Sequence, residues 1–256
     1  MNPELIKIEV TSRCNGFCVF CGHPGTGEDM DIGKFKWIVD MFPETKMFHT
    51  QFYGEPLLYQ NIVEAIKYLK DKGKQVCFYT NGSFQSDEQL NEIAKLKPDK
   101  VVFSIDAIDS ETYSKIRPGL YFDTIISFLK KFIAACNGTP IIVRATRCKE
   151  NYGTDFEPYF KAMGVKFVSY PEAPVYRKAK IEYTHRECNR PFTQLIIKAN
   201  GDVVGCCIDW HAKHVIGNIF EDHNIWGSEK FNEMRHAVKS NNFDLCKTCG
   251  FMMKDR

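Results

Sequence analysis

The chain has 256 residues, 44% of them hydrophobic and 26% charged, with a formal net charge of +2. That suits one large domain or one with a small appendage; the near-neutral balance leaves no electrostatic footprint for nucleic acid, and no apolar run approaches the ~20 residues of a membrane span. Eleven cysteines, beside an N-terminus (Met1-Asn2-Pro3-Glu4) without a basic stretch and apolar core, point away from a disulfide framework and toward metal ligation in a reducing, cytoplasmic compartment.

Leu5–Val10 reads as a strand, and a loop carrying Cys14, Cys18 and Cys21 follows it. Asp31 caps a helix running through Phe42, with Phe35, Ile38, Val39 and Phe42 on one face. Met47–Phe52 reads as a strand, and Asn61–Lys70 as a helix with Ile62, Ile66 and Leu69 inward and Gly73 closing it. Then come a strand at Gln75–Tyr79, a helix at Glu88–Lys95, a strand at Lys100–Ile105 and a helix at Phe122–Ala135. Ile141–Ala145 is a strand, Phe156–Met163 a helix and Lys166–Ser169 a strand. Six strand–helix steps imply a parallel sheet with right-handed crossovers. The fold class is α/β, an open, partial (β/α)6 TIM-like barrel.

After Tyr170 the rhythm stops at Pro171 and Pro174, which divides the chain into residues 1–170 and 171–256. In the second part Thr193–Ala199 and Asp202–Gly205 read as a hairpin on an Asn200-Gly201 turn, and Phe231–Val238 reads as a short helix. Cys188, Cys206, Cys207, Cys246 and Cys249 cluster around these elements. A hairpin can bring Cys188 and Cys206 together, and Cys246-x2-Cys249 supplies a second pair. Four thiolates make a closed site for zinc or for an iron–sulfur cluster.

Three thiolates on the first loop are a different case. Closed zinc sites and 4Fe–4S clusters both want four ligands, so three leave one metal position open to a substrate or cofactor. A zinc knuckle completed by His23 is the alternative.

The spacing Cys14-x3-Cys18-x2-Cys21, with the aromatic Phe20 before the last cysteine, resembles the signature of the radical S-adenosylmethionine (SAM) enzymes. The resemblance implies that the three cysteines hold a 4Fe–4S cluster whose fourth iron is chelated by SAM. Reductive cleavage of SAM then yields a radical that takes a hydrogen atom from substrate, while the protein binds, orients and excludes side reactions. In such barrels chemistry collects at the C-terminal ends of strands, where further resemblances fall. Tyr53-Gly54-Glu55-Pro56 looks like the family's Gly-Gly-Glu-Pro motif for the SAM amino group, with Tyr53 in place of the first glycine. Asn81, in Thr80-Asn81-Gly82, is a ligand contact or part of a turn. Ser104 and Asp106 share a face by the two-residue strand period and suit a ribose diol or the methionine end of SAM; a helix start explains them as well. Arg144 in an apolar strand needs an anionic partner, either the SAM carboxylate or a core acid. Cys77, Cys136 and Cys148 read as small hydrophobes.

Cys188, Gly201-x4-Cys206, Gly217-Asn218-Ile219 and Trp226 resemble the SPASM and "twitch" extensions of this family. Too few cysteines remain for a full SPASM set, which implies the twitch form: a small hairpin-plus-helix domain with one auxiliary 4Fe–4S cluster on Cys188, Cys206, Cys246 and Cys249. Cys207 is the alternative to Cys206. Phe52–Leu58 and Tyr79–Gly82 look like the family's cyclitol dehydrogenases. The implied activity is oxidation of a secondary alcohol of a small sugar-like or cyclitol substrate, with the auxiliary cluster as electron acceptor and a flavodoxin or ferredoxin as reductant. Arg177 falls where the base region would lie, with Asp209 and His211 as other polar groups near the auxiliary cluster. The rivals are an epimerase using a free thiol such as Cys148, a peptide maturase, and a non-enzymatic two-site zinc protein.

Overall fold

A computed structural model describes residues 2–22, 27–136, 138–170, 188–209 and 211–249. Its first half alternates strands β1 (Leu5–Ile8), β2 (Met47–His49), β3 (Gln75–Thr80), β4 (Lys100–Ser104), β5 (Ile141–Thr146) and β6 (Lys166–Tyr170) with helices. The helices are α1 (Ile32–Met41), α2 (Ile62–Asp71), α3 (Asp87–Lys95), α4 (Ser110–Ile116), α5 (Phe122–Ala135) and α6 (Glu157–Lys161). The Asp31 side chain caps α1 by accepting from the Lys34 N–H, and α1 buries Phe35, Ile38 and Val39 as the apolar spacing requires. Gly73, at φ +67°, ends the turn after α2.

Neighbouring strands β1 to β6 pair in parallel in the order β6-β5-β4-β3-β2-β1, and among the described residues no strand pairs with the outer side of β6, so the barrel is open there. Ile6, Ile8, Phe48, Val76, Phe78, Val101, Phe103 and Val143 bury one face under the helices. Alternation then sends Lys7, His49, Cys77, Tyr79, Lys100 and Arg144 to the opposite, inner face.

Three features depart from expectation. Strand β2 stops at His49 rather than Phe52, because the Tyr53 N–H leaves the ladder to donate to Glu9 Oε1 at 3.2 Å. Helix α4 has only Tyr113 and Ile116 buried, too few apolar positions for its period to show in the sequence. After α7 (Arg190–Thr193), the C-terminal hairpin does not stand apart from the sheet. Its first strand, β7 (Gln194–Ile197), pairs in parallel with β1, and β8 (Asp202–Val204) and β9 (Val215–Asn218) extend the sheet antiparallel to nine strands. Helix α8 (Glu229–Lys239) buries Phe231, Met234 and Val238.

Candidate functional site

The three-cysteine loop leaves the C-terminal end of β1 and is held by the loops after the next three strands. The Glu55 N–H donates to the Arg13 carbonyl at 2.8 Å. Gly54 is required there, since a Cβ would lie 1.9 Å from the Thr11 carbonyl oxygen. Arg13 grips Asp29 with Nε and Nη2 at 2.9 and 2.6 Å and donates to the Leu58 carbonyl at 2.8 Å. Asn15 accepts from Asn81 Nδ2 at 3.0 Å and donates to Ser83 Oγ at 2.9 Å. The far half of the loop rests on the segment after α4: Phe17 N–H donates to the Pro118 carbonyl and Val19 N–H to the Ile116 carbonyl.

The three thiols lie within one another's electrostatic reach. Burial pushes the Cys14 thiol up to about 11, opposed by a hydrogen bond with the Gly16 backbone and reinforced by Glu55, Cys18 and Cys21. Cys18 is also raised by burial, with the Arg117 cation pulling the other way. Two half-buried thiols and the exposed Cys21 fit a cationic cluster that takes them as thiolates. Among the described residues no three side chains close on one metal-ion position. The donor set, three thiolates and a free fourth place, suits a cluster whose irons each take one thiolate.

Arg117 was missed in the sequence because it ends the unrecognised α4. It is 6% exposed, its Nε donates to Asp106 Oδ2 at 2.5 Å, and its Nη1 lies 3.4 Å from Cys18 Sγ. Its guanidinium also sits 5.6 Å from the Phe20 ring centroid. Asp106 is therefore not free for a ribose. It is wholly buried, and its second oxygen accepts from the Thr146 N–H at 2.6 Å.

Glu55 is likewise engaged by the protein, accepting from Leu57 N–H at 3.1 Å, Thr80 Oγ1 at 2.6 Å and Asn81 N–H at 2.6 Å. Burial nonetheless outweighs these bonds and raises its carboxyl to about 7. Ser104 ends β4 beside Arg144 in register. Arg144 has aromatic rather than acidic company, with its guanidinium 5.2 Å from the Tyr79 ring and 4.4 Å from that of Tyr170.

Cys188, Cys206, Cys246 and Cys249 line one small cavity with Arg190, Pro191, Ile208, Val238, Phe243 and Leu245. Cys207 is not part of that lining. Its thiol is held well below its usual range by a hydrogen bond from Cys206, with Lys7 and Arg190 assisting, and Arg190 Nη1 lies 3.4 Å from its Sγ. Asp209 is buried and accepts from the Lys213 and His214 N–H groups, so it shapes this loop. His211 is exposed, and Arg177 lies outside the described residues. Tyr53 spans the two sites: its hydroxyl donates to the Cys207 carbonyl at 3.2 Å. Burial raises its phenol, and Cys207, Cys21 and Cys206 all contribute.

Residues 8–143 match the radical SAM superfamily, and residues 188–250 match an iron–sulfur cluster-binding domain, SPASM. A cofactor-modifying protein for tungsten-containing aldehyde ferredoxin oxidoreductase from Pyrococcus furiosus is 27% identical, covering 96% of this chain and 87% of its own. The S-adenosyl-L-methionine-dependent 2-deoxy-scyllo-inosamine dehydrogenase of Niallia circulans is 25% identical, over 96% of this chain and 92% of that one. A crystal structure of BtrN in complex with AdoMet and 2-DOIA superposes with a TM-score of 0.65 at 21% identity, covering 98% and 94% of the two chains. That likeness speaks for the fold.

Proposed function

The chain belongs to the radical SAM superfamily, and from that premise we propose that it dehydrogenates a secondary alcohol of a small sugar-like or cyclitol substrate. Cys14, Cys18 and Cys21 hold the SAM-binding cluster, and Cys188, Cys206, Cys246 and Cys249 hold the auxiliary one. Residues 1–170 form the barrel part and 171–256 the bridge and auxiliary part. Once bound, SAM and the reduced first cluster would supply the one-electron chemistry that removes a carbon-bound hydrogen, and the auxiliary cluster, in its oxidised state, would accept the remaining electron.

The chain's own residues do the positioning. Gly54 lets the loop after β2 lie against the cysteine loop, and Glu55, with Asn81, fixes the strand ends beneath it. Tyr53, Gly54 and Glu55 offer backbone groups to the SAM amino end, Ser104 a hydroxyl, and Phe20 an apolar wall. Arg144, between Tyr79 and Tyr170, would pair with the SAM carboxylate. Arg117 steadies Cys18 while Asp106 holds Arg117. Arg177 is the partner for the substrate hydroxyl. The reductant is a flavodoxin or ferredoxin, and the setting is the cytoplasm.

The observation that carries this reading is Tyr53, which joins the barrel loop beside Cys21 to the loop of the four-cysteine site. A substrate between them has a route for its second electron. Cys148, the thiol named for the epimerase alternative, is wholly buried, which favours the dehydrogenase reading. The test is anaerobic reconstitution, reduction and assay of 5′-deoxyadenosine with and without a polyol mixture. The reading expects deoxyadenosine, lost on Cys14→Ala, and a carbonyl product. A chain that purifies with zinc and makes no deoxyadenosine would sink it.

A further inference from the structure

The inner face of the sheet carries a row of side chains that the proposed chemistry does not use. Register sets Lys7 opposite His49, His49 opposite Cys77, and Cys77 opposite Lys100, across four neighbouring strands. Partners in parallel register share a face, and the alternate residues go to the helix-covered core. His49 is 6% exposed, yet neither Nδ1 nor Nε2 has a hydrogen-bond partner. An imidazole buried with both nitrogens unmet is costly unless a ligand or water completes it. Its ring lies 5.9 Å from that of Tyr79, one step further along the same face.

The surroundings say which ligand. Lys7 and Lys100 both act electrostatically on His49 and on Cys77, so the middle of the row lies within reach of two cations. Burial and these two cations hold His49 at about 3, so it stays neutral, one nitrogen a donor and the other an acceptor. Among the described residues no carboxylate pairs with Lys7 or Lys100. Glu9, just past the end of β1, accepts from the Tyr53 and Ala199 N–H groups. Lys7 also acts on Cys207, which puts this row beside the four-cysteine site.

We propose that this row is the substrate's anchoring site and that it takes a small polyol bearing an anionic group, a phosphate or a carboxylate, held by Lys7 and Lys100 and completed by His49. The proposal rests on the enzymatic reading above and narrows its substrate class: an aminocyclitol would bring an ammonium group to two lysines that, among the described residues, have no carboxylate partner.

The test is calorimetric titration of the anaerobically reconstituted, SAM-loaded full chain with glucose 6-phosphate, glucuronate and glucosamine. The phosphate or the uronate should bind at least about tenfold more tightly than glucosamine, the scale of a charge-assisted hydrogen bond. Which of the two binds better identifies the anion. Lys7→Met and Lys100→Met, which keep the aliphatic stem, should each weaken the preferred anion about tenfold. Lys131→Met, at an exposed ion pair with Asp87, should not. Glucosamine binding as tightly as the anions overturns the proposal, and this ranking in the parent chain decides even if a variant fails to fold. Unchanged affinity in both methionine variants overturns it too. Substrate-independent deoxyadenosine formation in the same samples keeps the two readings apart. If it persists without anion preference, only the substrate class falls; if it is missing from the parent, the enzymatic reading falls.

Discussion

Replacing Arg117 by methionine removes the cation between Asp106 and the cysteine loop while keeping most of the side-chain volume. Asp106 is 0% exposed, and Arg117 Nε supplies one of its two charge-balancing contacts at 2.5 Å; the Thr146 N–H at 2.6 Å is the other. Breaking a buried ion pair by deleting one partner costs about 3–5 kcal/mol, because the remaining charge stays desolvated. Against a domain stability of about 5–15 kcal/mol, the variant should still fold but with a much earlier urea midpoint. Adding Asp106→Asn removes the stranded charge and should return about 2 kcal/mol or more. The assay is anaerobic urea denaturation of the metal-free chain for the parent, both single variants and the double. In the reconstituted protein, loss of the Arg117 contact to Cys18 Sγ at 3.4 Å should lower the first cluster's potential in an electron-paramagnetic-resonance titration, since hydrogen bonds to sulfur favour the reduced state. A single variant that loses less than about 1 kcal/mol, the cost of an exposed pair, or a double variant no more stable than Arg117→Met, would refute the reasoning.

Gly54→Ala forces a Cβ within 1.9 Å of the Thr11 carbonyl oxygen; it should cost about 1–3 kcal/mol and lower the iron bound by the first loop, and wild-type iron and stability would contradict this. Cys206→Ala should remove roughly half of the reconstituted iron, one cluster of two, whereas Cys207→Ala, outside the four-cysteine cavity, should keep it; iron analysis giving the reverse order would reassign the ligand. Glu55, raised from 4.5 to about 7, makes the metal-free chain less stable as pH rises. The contribution is complete below about 4.5 and lost through about 7, because the folded state binds the proton more tightly than the unfolded one. At about 1.36 kcal/mol per pH unit the loss comes to about 3 kcal/mol, and urea titrations at pH 5 and 8 should show it in the parent but not in Glu55→Gln.

The parts of the site legible in the sequence were those that local pattern encodes. Cys14, Cys18 and Cys21 share one loop, so their convergence is visible in the spacing, and the consecutive residues around Gly54 are legible through their resemblance to a family motif. The helix faces of α1, α2 and α5 followed from apolar periodicity because each has at least three buried positions. What stayed hidden depends on contacts distant in the chain. Arg117 touches Cys18 across 99 residues and Asp106 across 11, and nothing in Ile116-Arg117-Pro118 marks a buried guanidinium. Strand parity suits Asp106 to a ligand contact as well as to a helix start, and parity cannot show that its oxygens are already taken by Arg117 and Thr146. The row from Lys7 to Lys100 is invisible without register, since its members come from four strands and none lies in a motif.

The continued sheet explains how two cysteine sites can serve one substrate. Strand β7 runs parallel to β1, so the first cysteine loop and the Asn200-Gly201 turn both lie at the C-terminal edge. Gly201 makes that turn at φ +92°, and a Cβ there would meet Phe220 at 2.4 Å. Strand β8 then runs back, with Ile197 opposite Val203 and Ile196 opposite Val204. Cys206 follows two residues after the end of β8, on the chain running away from that edge. Glu9 fastens this arrangement, since one buried carboxylate binds the Tyr53 N–H after β2 and the Ala199 N–H after β7. The stretch of inner face between the two cysteine sites is the one that carries Lys7 and His49. A hairpin docked separately from the barrel would leave that distance to a linker. Here it is set by four residues of shared β-ladder, and electron transfer across the inner face needs a fixed distance.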